Sequence, residues 1–159
     1  MPNCVYQKMK FTYHGENKDK ITEIKKALLN NEGYIDFNVL IPQPSNIQDA
    51  NPHVLSDSER EWNCTNWGTK WNAMESKITH ESNWAIGFEF QTAWQMPIPF
   101  IDKVFESFKD CNLEYIAADD GGFIAFHQSL ADDGTITITN LKDLKGAHDA
   151  LFAALCTSY

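Results

Sequence analysis

The segment NWAIGFEFQTAW, residues 83–94, constrains the fold more than any other part of this chain. Trp84, Ile86, Phe88, Phe90, Thr92 and Trp94 share one parity, and Ala85, Gly87, Glu89, Gln91 and Ala93 share the other. Successive side chains of a strand point to opposite faces, so this run predicts a β-strand with one aromatic, buried face and one small or polar face. A strand of this kind needs an apolar layer above one side only. The remaining elements are therefore read for what supplies that layer.

Residues 4–13 alternate Val5, Met9 and Phe11, with Gln7 on the same parity, and predict a first strand. Ile21, Ile24, Leu28 and Leu29 recur at helical spacing after Asn17 and Asp19 and before Gly33, the pattern of an amphipathic helix with a polar start and a glycine stop. Residues 34–41, YIDFNVLI, read as a second strand. Residues 43–63 are polar and proline-punctuated, an irregular insertion with a short helix around Ser56–Trp62. A further strand, WNAMESKITHE, precedes the aromatic one. Pro99 suits a first helical turn, and Ile101, Val104, Phe105 and Phe108 mark the buried stripe of a helix running to about Lys109. Strands follow at 113–118, 122–128 and 135–139, joined by Asp119-Asp120-Gly121-Gly122 and Asp132-Asp133-Gly134. Asn140 would cap a last helix carrying Leu141, Leu144, Leu151 and Leu155. Strands alternating with helices in this order predict an α+β fold over residues 1–159 as a single domain. It is a mainly antiparallel sheet with helices on one face, a ferredoxin-like core with additions.

Charge limits the partners. Thirteen Lys and Arg against twenty-two Asp and Glu give a net charge of -9, which repels phosphate backbones and disfavours direct nucleic-acid binding. The opening MPNCVYQKMK has no apolar core of signal-peptide type, and no apolar run reaches the roughly 18 residues of a membrane helix. A cytoplasmic protein with reduced thiols is expected, not a membrane protein. Cys4, Cys64, Cys111 and Cys156 form no C-x-x-C pair, so no zinc site and no cofactor is expected.

Catalytic patterns are missing as well. The five histidines are scattered, and no H-E-x-x-H, G-x-S-x-G or glycine-rich phosphate loop occurs. The chain reads as non-enzymatic. The acidic turns at Asp119-Asp120 and Asp132-Asp133 have the composition of a cation site, but tight hairpins require the same residues.

The strongest candidate for binding is CTNWGTKWNA, residues 64–73. Gly68 permits a sharp turn, which would bring Trp67 and Trp71 against one sheet edge. Lys70 between them can sit over an indole or meet an anion, and Asn66 and Thr69 supply polar groups. Glu89, on the polar face of the aromatic strand, is expected to form a floor beneath Lys70 or an ordinary pair with it. The alternative is that both tryptophans are packing groups that close the open end of the sheet.

NWGTKWNA, the strand ending FQTAW, the prolines of MPIP and the run LEYIAADDGGFIAF together resemble a family of uncharacterised phage- and plasmid-encoded proteins with a ferredoxin-like domain, the YubB type. The resemblance covers about residues 60–130. It is carried by Asn66, Trp67, Gly68, Thr69, Lys70, Trp71, Asn72, Thr92, Ala93, Trp94 and Tyr115. This chain departs from it at Phe126, where members often place a glycine. The resemblance implies a ferredoxin-like fold and a mobile-element origin, and brings no catalytic residues. The function expected is that of a small acidic binding protein engaging a host or element-encoded protein, of basic character. The alternatives are a small-ligand or nucleotide-binding module, with a base between Trp67 and Trp71, or an enzyme, each with its site at Asn66–Trp71.

Overall fold

The computed structural model describes residues 3–47, 55–141, 146, 150, 151 and 153. In chain order the elements are β1 (Cys4–Thr12), α1 (Lys20–Leu28), α2 (Phe37–Leu40), α3 (Asp57–Asn66), β2 (Met74–Glu81), β3 (Ala85–Ala93), α4 (Ile98–Ser107), β4 (Asn112–Asp119), β5 (Ala125–Leu130) and β6 (Ile136–Asn140). The strands make one sheet in the order β2-β3-β1-β4-β5-β6, every pair antiparallel. The first four strands follow the ferredoxin-like order, with β5 and β6 added beyond β4. The expected α+β class with an antiparallel sheet is the one found. The helix expected from Asn140 onward falls mostly outside the described residues.

Strand parity decides which face is covered. Val5, Gln7, Met9 and Phe11 of β1 lie opposite Thr92, Phe90, Phe88 and Ile86 of β3. On the other side, Met9 and Phe11 face Tyr115 and Leu113 of β4. All ten are buried. Above them α1 buries Ile21, Ile24 and Leu28, and α4 buries Phe100, Ile101, Val104 and Phe105. Phe11 meets Phe108 edge-on with ring centroids 5.4 Å apart, and Phe37 meets both Phe90 and Phe100, so strand and helix rings interlock. Burying each such side chain contributes roughly 1.5–3 kcal/mol. The opposite face of the sheet presents Tyr6, Lys8, Lys10, Glu89, Glu114, Ile116 and His127, all at least partly accessible.

Three expectations need correction. Residues 34–41 are not a strand. Only Ile35 bridges, to Leu29, and α2 begins at Phe37. Asp36 is the reason: its carboxylate accepts from the Asn38 amide at 2.9 Å and caps the turn, while Asn72 Oδ1 accepts from the Phe37 amide at 2.8 Å. A side-chain partner for each of these donors replaces the ladder a strand would need.

The helix expected around Ser56–Trp62 within the insertion at 43–63 is present as α3, with a later end. Ser56 accepts from the Glu59 amide, an S-x-x-E start, and α3 then continues to Asn66 instead of stopping near Trp62. Residues 48–54 lie outside the described set.

The aromatic strand is also shorter than its pattern. β3 spans Ala85–Ala93, and both terminal tryptophans leave the buried layer, Trp84 being 52% exposed and Trp94 50%. Ser82 Oγ accepts from the Trp84 and Ala85 amides, which holds Trp84 in the turn. Trp94 takes φ +71, in the left-handed region, and so leaves the strand geometry that would have pointed it at the core.

Candidate functional site

Helix α3 ends where the tryptophan segment begins. The amides of Trp67 and Gly68 both donate to the Asn63 carbonyl, and Gly68 takes φ +86, so the chain reverses in one residue. Only glycine fits there. A Cβ on Gly68 would lie 2.7 Å from Pro99 Cδ and 3.0 Å from the Ile98 nitrogen. The turn is thereby packed directly on the start of α4.

That reversal separates the candidate residues. Trp67 points inward, 3% exposed, donates its indole N–H to the Ile41 carbonyl at 2.9 Å, and meets Phe37 and Trp62 edge-on. Thr69 is buried and donates to the Trp71 carbonyl. Asn66 Nδ2 donates to the Trp62 carbonyl, and Asn63 Nδ2 donates to the Lys70 carbonyl. The segment's polar groups therefore hold its own backbone. Trp67 has no open ring face for a base, so a base stacked between Trp67 and Trp71 does not fit.

Lys70 and Trp71 remain at the surface. Trp71 is 38% exposed, and the Lys70 ammonium lies 5.9 Å from the centroid of the Trp94 ring. Lys70 and Trp94 thus form a ledge of one cation and one indole, and Trp71 follows Lys70 in the chain. Trp94 was not among the candidates because its parity assigns it to the core. The signal in the sequence is Gln95-Met96-Pro97, a stop directly after it.

Glu89 lies elsewhere. Its two carboxylate oxygens lie 3.2 Å from Lys8 Nζ and 3.0 Å from Lys77 Nζ, on the open face of the sheet, so its lysine partners are Lys8 and Lys77 in place of Lys70. The same face carries His127 Nε2, 3.3 Å from Glu114 Oε1.

The acidic turns hold the backbone. Asp119 is fully buried, and its Oδ1 accepts from the Phe123 and Ile124 amides at 2.9 and 2.7 Å. Asn3 Nδ2 donates to its other oxygen. Asp133 accepts from the Thr135 amide, and hydrogen bonds from the Thr135 side chain and backbone hold its carboxyl below its usual value. Among the described residues no three His, Cys, Asp or Glu side chains gather as a metal site.

Two buried groups have shifted ionisation for structural reasons. Burial, with Asp110 beside it, pushes the Cys111 thiol up to about 12, so it stays protonated and unreactive. Burial also holds the Tyr115 hydroxyl well above its usual value. That hydroxyl donates to Gln7 Oε1 at 2.8 Å, Gln7 Nε2 donates to Thr92 Oγ1, and Thr92 donates to the Gln95 carbonyl. The chain of hydrogen bonds crosses three strands under the helices and ends beside Trp94.

A hollow of about 600 Å³ lies at the N-terminal end of β2, lined by Tyr34, Asp36, Asn72, Glu75, Ser76 and others. Its polar groups hold the wall in place: Ser76 accepts from the Ile35 amide, and Asn72 donates to Asp36 at 2.6 Å. None of the helices among the described residues is long and apolar enough to cross a membrane.

No family model matches the sequence. No curated protein matches it either. Among solved structures, the crystal structure of protein api92 from Yersinia pseudotuberculosis, of the family DUF1281, is similar with a TM-score of 0.52 at 13% identity. The similarity covers 80% of this chain and 46% of that one, so the chain spans about half the length of its structural neighbour. At that identity the likeness is one of fold.

Proposed function

We propose that this chain is a non-enzymatic binding protein of the mobile-element kind, and that it engages a host or element-encoded protein through the ledge formed by Lys70 and Trp94, with the exposed Trp71 next to Lys70 in the chain. One observation carries the reading. Trp94 is half exposed at φ +71, a conformation that disfavours any side chain, when its place in the alternation would have buried it. Tryptophan is among the residues that dominate the binding energy of protein interfaces, and here Lys70 lies against its ring. The net charge of -9 supports a basic partner, because a complementary field speeds encounter.

The segment's tight internal hydrogen bonding supports binding over catalysis. Asn66 and Thr69 are spent on their own backbone, which leaves the segment few polar groups to offer a substrate.

The test is affinity purification from a host lysate with wild-type protein, Trp94→Ala and Lys70→Ala, alongside thermal unfolding. The expected result is one specific protein retained by wild type and lost from Trp94→Ala, with both variants folded. A partner retained equally by all three would show that the ledge is not the contact.

A further inference from the structure

The open face of the sheet carries a depression that the ledge does not involve. It begins at an irregularity in β2: Ile78 pairs with Phe88 and His80 with Gly87, so Thr79 is an extra residue in the ladder. A bulge of this type re-aims side chains. Here it sets Thr79 and His80 together beside Gly87, whose missing side chain is the floor. A Cβ on Gly87 would lie 2.8 Å from Thr79 Oγ1. The depression measures about 320 Å³, and Lys8, Lys10, Glu114 and Ile116 form its other walls.

Charge within it is not balanced. Glu89 lies between two lysines, Lys8 and Lys77, and Glu114 Oε1 lies 3.3 Å from His127 Nε2. Lys10, opposite both Gly87 and Glu114 in the ladder, makes no ion pair among the described residues, and the side chains of Thr79 and His80 make no hydrogen bond among them. A lysine, an imidazole and a hydroxyl therefore converge without partners over bare backbone. The surplus is positive, on a chain whose net charge is -9.

We infer that this depression binds the oxyanion group of a small molecule, a phosphate or a carboxylate, held by the Lys10 ammonium, the His80 ring and the Thr79 hydroxyl. Donors of these types are what such groups require, and a charged partner makes each hydrogen bond roughly twice as strong as a neutral one. Ile116 gives the organic part an apolar wall. The volume exceeds the needs of a bare anion, which points to a small metabolite as the ligand.

Inorganic phosphate, glycerol 3-phosphate and citrate are titrated into isotopically labelled protein at constant ionic strength, with amide shifts read by NMR. The expected result is saturable shifts confined to Lys10, Thr79, His80, Gly87 and their neighbours. Lys10→Ala should weaken binding about tenfold or more, the loss of one charge-assisted hydrogen bond, with its fold intact because the side chain is exposed. Gly87→Ala should abolish binding by filling the floor. Should that variant misfold, His80→Ala reads the same site. Preference for the two phosphates or for citrate identifies the anion class. Shifts scattered over the surface, or equal affinity in wild type and Lys10→Ala, would overturn the inference. Loss of the protein partner in Trp94→Ala leaves this result untouched.

Discussion

Lys70 and Trp94 meet at the corner of the sheet, the ammonium 5.9 Å from the ring centroid, although twenty-four residues separate them in the chain. The contact joins the end of the turn after α3 to the end of β3, at the place where Trp94 takes φ +71. An exposed cation–π contact contributes only about 0.5–1 kcal/mol, whereas a bulky residue in the left-handed region costs about 1–2 kcal/mol. Relief of that strain offsets part of what the contact and the half-buried indole contribute. Trp94→Gly should therefore lower the unfolding temperature far less than loss of a buried tryptophan, in a calorimetric melt. A drop as large as that of Trp67→Ala would mean that Trp94 is a packing group.

Trp67 behaves oppositely. Truncation to Ala removes a buried indole and orphans the Ile41 carbonyl, so a loss of about 3–5 kcal/mol is expected in urea unfolding. Trp71→Ala, at a partly exposed site, should cost less than Trp67→Ala in the same measurement.

Gly68 permits no substitution without movement of its neighbours. Its φ of +86 and the 2.7 Å approach to Pro99 Cδ act together, so Gly68→Ala should destabilise by more than about 1 kcal/mol and loosen the junction of α3 with α4. Hydrogen exchange of the Trp67 and Gly68 amides measures that loosening directly.

The hydrogen-bond chain from Tyr115 through Gln7 to Thr92 predicts an asymmetric response. Tyr115→Phe leaves Gln7 Oε1 buried without its donor and should cost about 1–3 kcal/mol. Replacing Tyr115 and Gln7 together by Phe and Leu should cost less than the sum of the two single changes.

Alkaline pH tests the buried thiol. The Cys111 thiol is raised from 9.0 to about 12 in the fold, so its contribution is complete below pH 9 and is lost as pH rises from there towards 12. Native protein should resist alkylation at Cys111 at pH 8 while the exposed Cys64 reacts, with mass spectrometry locating the adducts. Cys111→Ala should flatten the fall in stability above pH 9.

Period and parity made most of the architecture legible. Val5, Met9 and Phe11, the stripe of α4, and the centre of β3 were all recoverable, because a two-layer fold prints its covered face directly onto the sequence. What failed shares one cause. YIDFNVLI has the apolar content of a strand, but Asp36 and the distant Asn72 satisfy its amides in a turn, and a partner thirty-six residues away leaves no local pattern. Trp84 and Trp94 have core parity, but the Ser82 turn holds one and a left-handed φ turns the other out of the strand. At the candidate site, the glycine turn was readable, and the opposite facing of Trp67 and Trp71 was not, since it depends on how α3 meets α4. Gly87 was read only as a small residue. Its role appears once the β2 bulge sets Thr79 and His80 beside it.

Solvent exchange of the five indole N–H groups, followed one by one by NMR, tests the division between packing and surface tryptophans most directly. The Trp67 proton should be protected to the level of the global unfolding reaction, with Trp71, Trp84 and Trp94 exchanging rapidly. Fast exchange at Trp67, or protection of Trp94 equal to it, would contradict the account.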